Sequence, residues 1–133
     1  MTAFETEYEV EWGDCDEAGI VFYPNYFYWL DCTFQRFLKS RGFGQRQNQA
    51  EFGAVTPLVD SGMRFRAPAR YDDRLRVEAH ISSWEEKRLR VEYRLLCGEK
   101  LVAEGYEVRA WAVVTKDGLR SVPIAEDFKR RMA

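Results

Sequence analysis

Residues 12–31 read WGDCDEAGIVFYPNYFYWLD, and the stretch divides at Pro24. Gly13 to Gly19 is a polar segment bounded by glycines, with Asp14 and Asp16 one residue apart. From Tyr26 to about Gly42 the apolar residues recur at helical spacing. Tyr26, Leu30, Phe34 and Phe37 form one stripe, and Phe27, Trp29 and Leu38 widen it. A helix apolar over so much of its circumference is largely enclosed by the rest of the chain. Pro24 suits the first turn, where a missing N–H has no partner to lose. Gly42 and Gly44 suit the C-terminal end. The sequence therefore predicts a helix over 24–41 with an acidic loop delivered to its N-terminus. Free N–H groups at such an end favour negative charge. A carboxylate beside ready-made anion donors suits acyl-transfer chemistry.

Outward from this stretch the chain reads as strands. Phe4 to Trp12 alternates, with Phe4, Thr6, Tyr8, Val10 and Trp12 on one side and four glutamates on the other. That pattern is a half-solvated strand. Phe43 to Gly53 is polar and reads as a loop with at most one short helical turn. Four further strands are expected: Val55 to Ala67, Arg74 to Trp84, Arg88 to Cys97 and Leu101 to Thr115. The last carries Tyr106, Val108, Ala110 and Ala112 on one side. Residues 97–100 form a hairpin turn, and residues 116–118 the next. Pro123 to Met132 suits a short terminal helix. One long buried helix with about five antiparallel strands makes an α+β fold in which the sheet wraps the helix. One sheet cannot cover such a helix completely, and an exposed strand edge invites pairing. A symmetric dimer with a continuous sheet is the expected arrangement.

The composition narrows the function classes. A length of 133 residues fits a single domain over 1–133 with a proper core. Aromatic residues make up 15% of the chain, which places it outside the disordered class. A net charge of −2, with both signs mixed throughout, argues against nucleic acid as a partner. Cys15, Cys32 and Cys97 are odd in number and scattered, as reduced thiols in a cytoplasm would be. There is no C-x-x-C zinc pattern, and no cluster of ligands to suggest a metal or redox cofactor. MTAFETEYEV lacks the basic and apolar segments of a signal peptide. No run of about 18 apolar residues is present to span a bilayer.

The ordered motif D-C-D-x-A-G-I-V-x-Y-P-N-Y-x-x-W-L-D over 14–31 resembles the 4-hydroxybenzoyl-CoA thioesterase family. The likeness continues through Thr56-Pro57, Tyr71-Asp72-Asp73 and Trp84, and so spans most of the chain. The resemblance implies a hotdog fold and dimers, often paired into tetramers, with active sites at the subunit interface. It also implies hydrolysis of an acyl-CoA. That no cofactor, nucleic acid or membrane takes part is the expectation from composition and motifs. By the same resemblance Asp16, the second aspartate, is the catalytic carboxylate, acting as nucleophile or as general base. Asp14 then shapes the loop. The Tyr23 backbone N–H polarises the thioester carbonyl. Gly19 supplies a positive φ or a close approach to substrate. Asp31 and Thr56 lie near the far end of the acyl pocket, and Asn25 caps or braces the loop. Taken alone, Asp31 reads as a surface acid or one paired with an arginine such as Arg36.

For CoA the family uses a basic cluster after the tryptophan of this strand. Here the cluster reads Trp84-Glu85-Glu86-Lys87-Arg88, which leaves Lys87 and Arg88 to face the phosphates, with Arg64, Arg66 and Arg70 nearby in sequence. The single histidine, His80, falls on the polar side of its strand. Cys15 reads as packing, because no histidine is nearby in sequence to activate it. An aromatic acyl-CoA is the first expectation. Rival expectations are a short-chain aliphatic acyl-CoA, an acyl-carrier-protein thioester, or a non-catalytic acyl-CoA-binding module on the same fold. A dehydratase fits less well, because that chemistry wants a histidine in the site.

Overall fold

The computed structural model of the protein describes residues 3–133. Its central element is helix α1, Pro24–Ser40, with Pro24 in the first turn. The side chains of Tyr26, Trp29, Leu30, Thr33, Phe34, Phe37 and Leu38 are buried along it. Gly42 ends the helix at φ +81°. There its N–H donates to the Lys39 carbonyl at 3.0 Å and the Phe43 N–H to the Leu38 carbonyl at 2.8 Å. That is the left-handed closure glycine permits at least cost.

A five-stranded antiparallel sheet lies against α1. Its strands are β1 (Phe4–Glu9), β3 (Leu58–Phe65), β4 (Arg74–Trp84), β5 (Arg88–Cys97) and β6 (Lys100–Ala110). Their order is β1-β4-β5-β6-β3, so β1 and β3 are the edges. Together α1 and this sheet make the hotdog fold expected from the sequence. A second sheet, in the order β2-β7-β8, joins β2 (Ala54–Val55), β7 (Ala112–Thr115) and β8 (Gly118–Ser121). The short helix α3, Glu126–Met132, closes the chain with Phe128 and Met132 buried.

Several sequence expectations need correction. The first strand stops at Glu9, and Trp12 begins a turn of 3-10 helix with its ring 77% exposed, off the apolar side that alternation assigned it. Residues 45–52 form a true helix, α2 (Gln45–Phe52), where a loop was expected. Glutamines are adequate helix formers, but of the residues that face inward, Gln45, Asn48 and Phe52, only Phe52 is apolar, so no apolar period marks them. The expected strand over 55–67 is two strands in different sheets, divided at Thr56-Pro57. The long final strand likewise divides at Trp111. There the Ala110 N–H donates to the Pro57 carbonyl, and the Trp111 N–H turns to the Lys87 carbonyl, both at 2.9 Å.

The inward face of β6 also differs. Leu89, Val91, Tyr93 and Leu95 of β5 are buried, and their direct partners on β6 are Arg109, Glu107, Gly105 and Ala103. Opposed residues on paired strands share a face. Glu107 and Arg109 therefore point into the core, and Tyr106 and Val108 point away from it.

The C-terminal helix is locked at two places. Phe128 packs between Trp111 and Phe43, with ring centroids 4.6 and 5.1 Å away. Arg41 donates to the Arg131 carbonyl at 2.8 Å, and Arg131 donates back to the Arg41 carbonyl. Truncating a fully buried phenylalanine typically costs about 3–5 kcal/mol. Phe128→Ala should lower the urea-unfolding free energy by about that amount, as the midpoint of a denaturation curve will report.

Candidate active site

The acidic loop is built by its own backbone. Asp14 closes the 3-10 turn by accepting the Glu11 N–H on Oδ2 at 2.8 Å. Its carbonyl accepts the Phe22 N–H at 2.9 Å and the Asn25 side-chain amide at 2.8 Å. Asp14 is thus fully used in shaping the loop, and Asn25 braces it from the first turn of α1. The Val21 N–H donates to the Ala69 carbonyl at 2.9 Å, tying the loop to the segment between β3 and β4.

Asp16 sits at the tip. Its N–H donates to the Ile20 carbonyl and its carbonyl accepts the Gly19 N–H, at 2.9 and 3.0 Å. Gly19 takes φ +77°, which permits this narrow return. Asp16 Oδ1 accepts the Ala18 N–H at 2.9 Å, and Oδ2 has no donor among the described residues. The carboxylate is held by one oxygen and open at the other. It lines a hollow of about 120 Å³ with Trp12, Cys15, Gly19 and Tyr71. The Trp12 and Tyr71 rings meet edge to face, 5.4 Å apart. Burial, then the charges of Asp14 and Asp16, push the Cys15 thiol up, so it stays protonated beside the carboxylate.

The start of α1 lies next to this tip. The Asn25 and Tyr26 N–H groups donate to the carbonyls of Phe22 and Tyr23, and Pro24 has none to offer. The Tyr23 N–H has no acceptor among the described residues, so an anion donor stands free at the helix end. The Tyr23 ring is exposed and meets Phe65 of β3 edge-on at 6.4 Å. Tyr23, Tyr26, Phe65, Arg66 and Pro68 line an apolar cleft of about 440 Å³. Asp16 and Tyr23 therefore belong to one loop but line different hollows.

Asp31, midway along α1, and Thr56 are brought together by a residue the sequence reading passed over. Arg109 donates to Asp31 Oδ1 at 2.7 Å and to the Thr56 carbonyl at 3.0 Å. It also grips both oxygens of Glu107 at 3.1 Å. Arg36, the expected partner of Asp31, instead donates to Thr6 Oγ1 at 2.7 Å and covers the Tyr8 ring. Burial opposes the charge on Arg109, but Glu107 and Asp31 outweigh it and hold the guanidinium more firmly than usual. Tyr93 donates to Glu107 at 2.6 Å. Burial and the Glu107 charge raise its phenol well above the ordinary range, so it remains a donor. The available signal was the pair Glu107-x-Arg109, two opposite charges on one face of a strand.

Lys87 and Arg88 sit at the exposed β4–β5 turn beside Glu85 and Glu86. Their backbone is engaged, with the Lys87 carbonyl accepting the Trp111 N–H. Among the described residues neither side chain has an ion-pair partner. Arg66 is paired with Glu104. His80 lies half-buried on the outer face of β4, as its alternation suggests. Asp73 accepts the Arg70 N–H at 2.9 Å and shapes the turn before β4.

A wide apolar helix wrapped by this sheet, with an open carboxylate and a free N–H at its start, defines the class. The sequence matches the thioesterase-like superfamily over residues 10–132. The chain belongs to that family, and it is a thioester hydrolase. More narrowly, it is 36% identical over 126 residues to the 4-hydroxybenzoyl-CoA thioesterase of Pseudomonas sp. strain CBS-3, covering 90% of this chain and 89% of that one. An Asp-to-Asn mutant of a 4-hydroxybenzoyl-CoA thioesterase, complexed with 4-hydroxybenzoyl-CoA, superimposes with a TM-score of 0.91. It is 31% identical, over 98% of this chain and 99% of that one. A gentisyl-coenzyme A thioesterase superimposes with a TM-score of 0.83 at 28% identity, over 97% and 98% of the two chains.

Removing the Asn25 amide deletes one of the two donors on the Asp14 carbonyl. Asn25→Ala should cost about 1 kcal/mol of stability. Because the loss falls on the acidic loop, hydrogen exchange of the loop amides should rise while that of β4 and β5 stays unchanged.

Proposed function

We propose that the protein hydrolyses acyl-CoA thioesters whose acyl group is a small hydroxylated aromatic, of the 4-hydroxybenzoyl kind. The observation that carries this reading is the pairing on one loop of an open carboxylate, Asp16, with an unpaired N–H, that of Tyr23, at a helix N-terminus. The thioester carbonyl oxygen accepts the Tyr23 N–H, and the helix end stabilises the charge that develops on it. Asp16 then either attacks the carbonyl carbon, giving a mixed anhydride that water cleaves, or takes a proton from the attacking water. On both routes the bond to sulfur breaks and CoA leaves as a thiolate. A thiolate departs without a strong acid, which suits a loop with no histidine. The relatives named above act, by their names, on 4-hydroxybenzoyl and gentisyl thioesters, both phenolic, and this supports the substrate class. Lys87 and Arg88 receive the nucleotide phosphates at the β4–β5 turn, with Glu85 and Glu86 weakening the grip.

The site is completed by a second copy of the chain. The edge strand β3 exposes Leu58, Val59 and Phe65. One end of β3 touches Tyr23 through Phe65, and its other end follows Thr56. Along α1, Asp31 lies eight residues beyond Tyr23, about 12 Å by the helical rise. That is farther than one benzene ring reaches. Antiparallel pairing of two β3 edges about a two-fold axis reverses the ends, so that Asp16 and Tyr23 of one copy meet Asp31 and Thr56 of the other.

Two experiments test the proposal. CoA-thiol release is measured with 4-hydroxybenzoyl-, benzoyl-, phenylacetyl-, short aliphatic and long aliphatic CoA thioesters. The hydroxylated aromatic should turn over fastest, and Asp16→Asn should lower kcat by about 10²–10⁴-fold with the fold intact. Turnover that survives Asp16→Asn removes Asp16 from the mechanism. Separately, a lysine on an exposed edge blocks strand addition. Val59→Lys should convert dimer to monomer in sedimentation velocity and abolish turnover in the same preparation.

A further inference from the structure

Arg109 is 4% exposed and Glu107 is 2% exposed. Burying such a pair is a poor route to stability, because desolvation offsets most of the attraction and an apolar pair of like volume would serve as well. Every arm of the guanidinium is engaged: Nε and Nη2 hold Glu107, Nη2 also holds Asp31 Oδ1, and Nη1 holds the Thr56 carbonyl. The Phe34 ring of α1 fixes its plane from one side, 4.4 Å from the guanidinium carbon. Tyr93 fixes Glu107 in turn. Two strands, β5 and β6, the Thr56 link between β2 and β3, and Phe34 of α1 therefore fix the guanidinium that holds one carboxylate, and that carboxylate is not buried. The Asp31 side chain is 51% exposed. Its Oδ1 takes Arg109 and Gln35, and its Oδ2 has no donor among the described residues.

We propose that the Tyr93–Glu107–Arg109 chain is a positioning device that presents Asp31 Oδ2 as a fixed acceptor, and that this gives the enzyme its preference for acyl groups carrying a hydroxyl at the far end. The proposal rests on the reading that Asp31 lies at the distal end of the acyl pocket. A rigid fork matters here because a carboxylate free to turn would meet the hydroxyl in only part of its conformations, and water would take its place in the rest. Arg109 is suited to this task by its planar donor set, which lysine cannot reproduce. The Tyr93 hydroxyl touches no substrate and acts only through Glu107 and Arg109.

The test compares kcat/KM for 4-hydroxybenzoyl-CoA and benzoyl-CoA in the full-length protein. The wild type should prefer the hydroxylated thioester by about 10-fold or more, the range of a hydrogen bond to a charged acceptor. Tyr93→Phe removes one oxygen and is the mild variant. It should cut the preference by about 3–10-fold, with the loss on 4-hydroxybenzoyl-CoA and a smaller one on benzoyl-CoA. Arg109→Lys, which keeps the charge, should not restore the preference. Asp31→Asn should erase it, and adding Tyr93→Phe to Asp31→Asn should then change nothing further. Equal losses on both substrates, or a Tyr93→Phe effect that persists in the Asp31→Asn background, would overturn the proposal. If the wild type hydrolyses neither thioester, the reaction proposed above fails by itself. The same variants are then compared by tryptophan-fluorescence titration with 4-hydroxybenzoate and benzoate. Equal affinity for the two acids in the wild type overturns the positioning role, and a phenol preference lost in Tyr93→Phe sustains it.

Discussion

The burial of α1 is the constraint from which the rest follows. Seven of its side chains are hidden, and two of them lean on aromatic rings of β1: Phe37 stacks on Phe4 and Trp29 on Tyr8. No flat surface covers so wide a face, so the sheet must curve along the helix. That curvature leaves β1 and β3 as free edges and brings the start of α1 to the rim. The rim is where a helix end can meet a ligand. An element dictated by apolar burial thus presents a polar group, the Tyr23 N–H, at its start.

The fold was legible wherever one face of an element is apolar and the other is not. The alternation in residues 74–84 and 88–97 maps directly onto β4 and β5. It was illegible where local pattern yields to long-range pairing. Thr56-Pro57 and Trp111 lie inside continuous runs of strand-forming residues, yet the chain changes sheet at both. Only the backbone bonds Ala110 to Pro57 and Trp111 to Lys87, each between distant segments, reveal it. Helix α2 was missed because its contribution is polar: Gln45 donates to Gln35 at 2.7 Å and reaches Thr56 Oγ1.

The candidate site shows the same division. The Asp14–Asn25 loop could be read from sequence because the bonds that turn it join residues two to eleven positions apart, although Val21 also reaches out to Ala69. The Asp31 environment could not, since its partner Arg109 stands 78 positions away. Charged residues are rarely buried unless paired, so alternation along β6 turned Glu107 and Arg109 toward solvent by default. Their mutual pairing is what reverses that default.

The sequence distance between these partners bears on the order in which the molecule forms. The β4–β5–β6 meander uses tight connections and can close early. The N-terminal strand must wait, because β1 pairs only with β4, across a closure that includes α1, α2 and β3. Val10, at its end, exchanges backbone hydrogen bonds with Asp72 and Asp73 before β4, and the acidic loop hangs from that junction. During synthesis β1 therefore leaves the ribosome well ahead of its partner strand and is among the last elements to find its place. A chain paused before β4 holds every residue of its acidic loop and none of the strand on which β1 must pair.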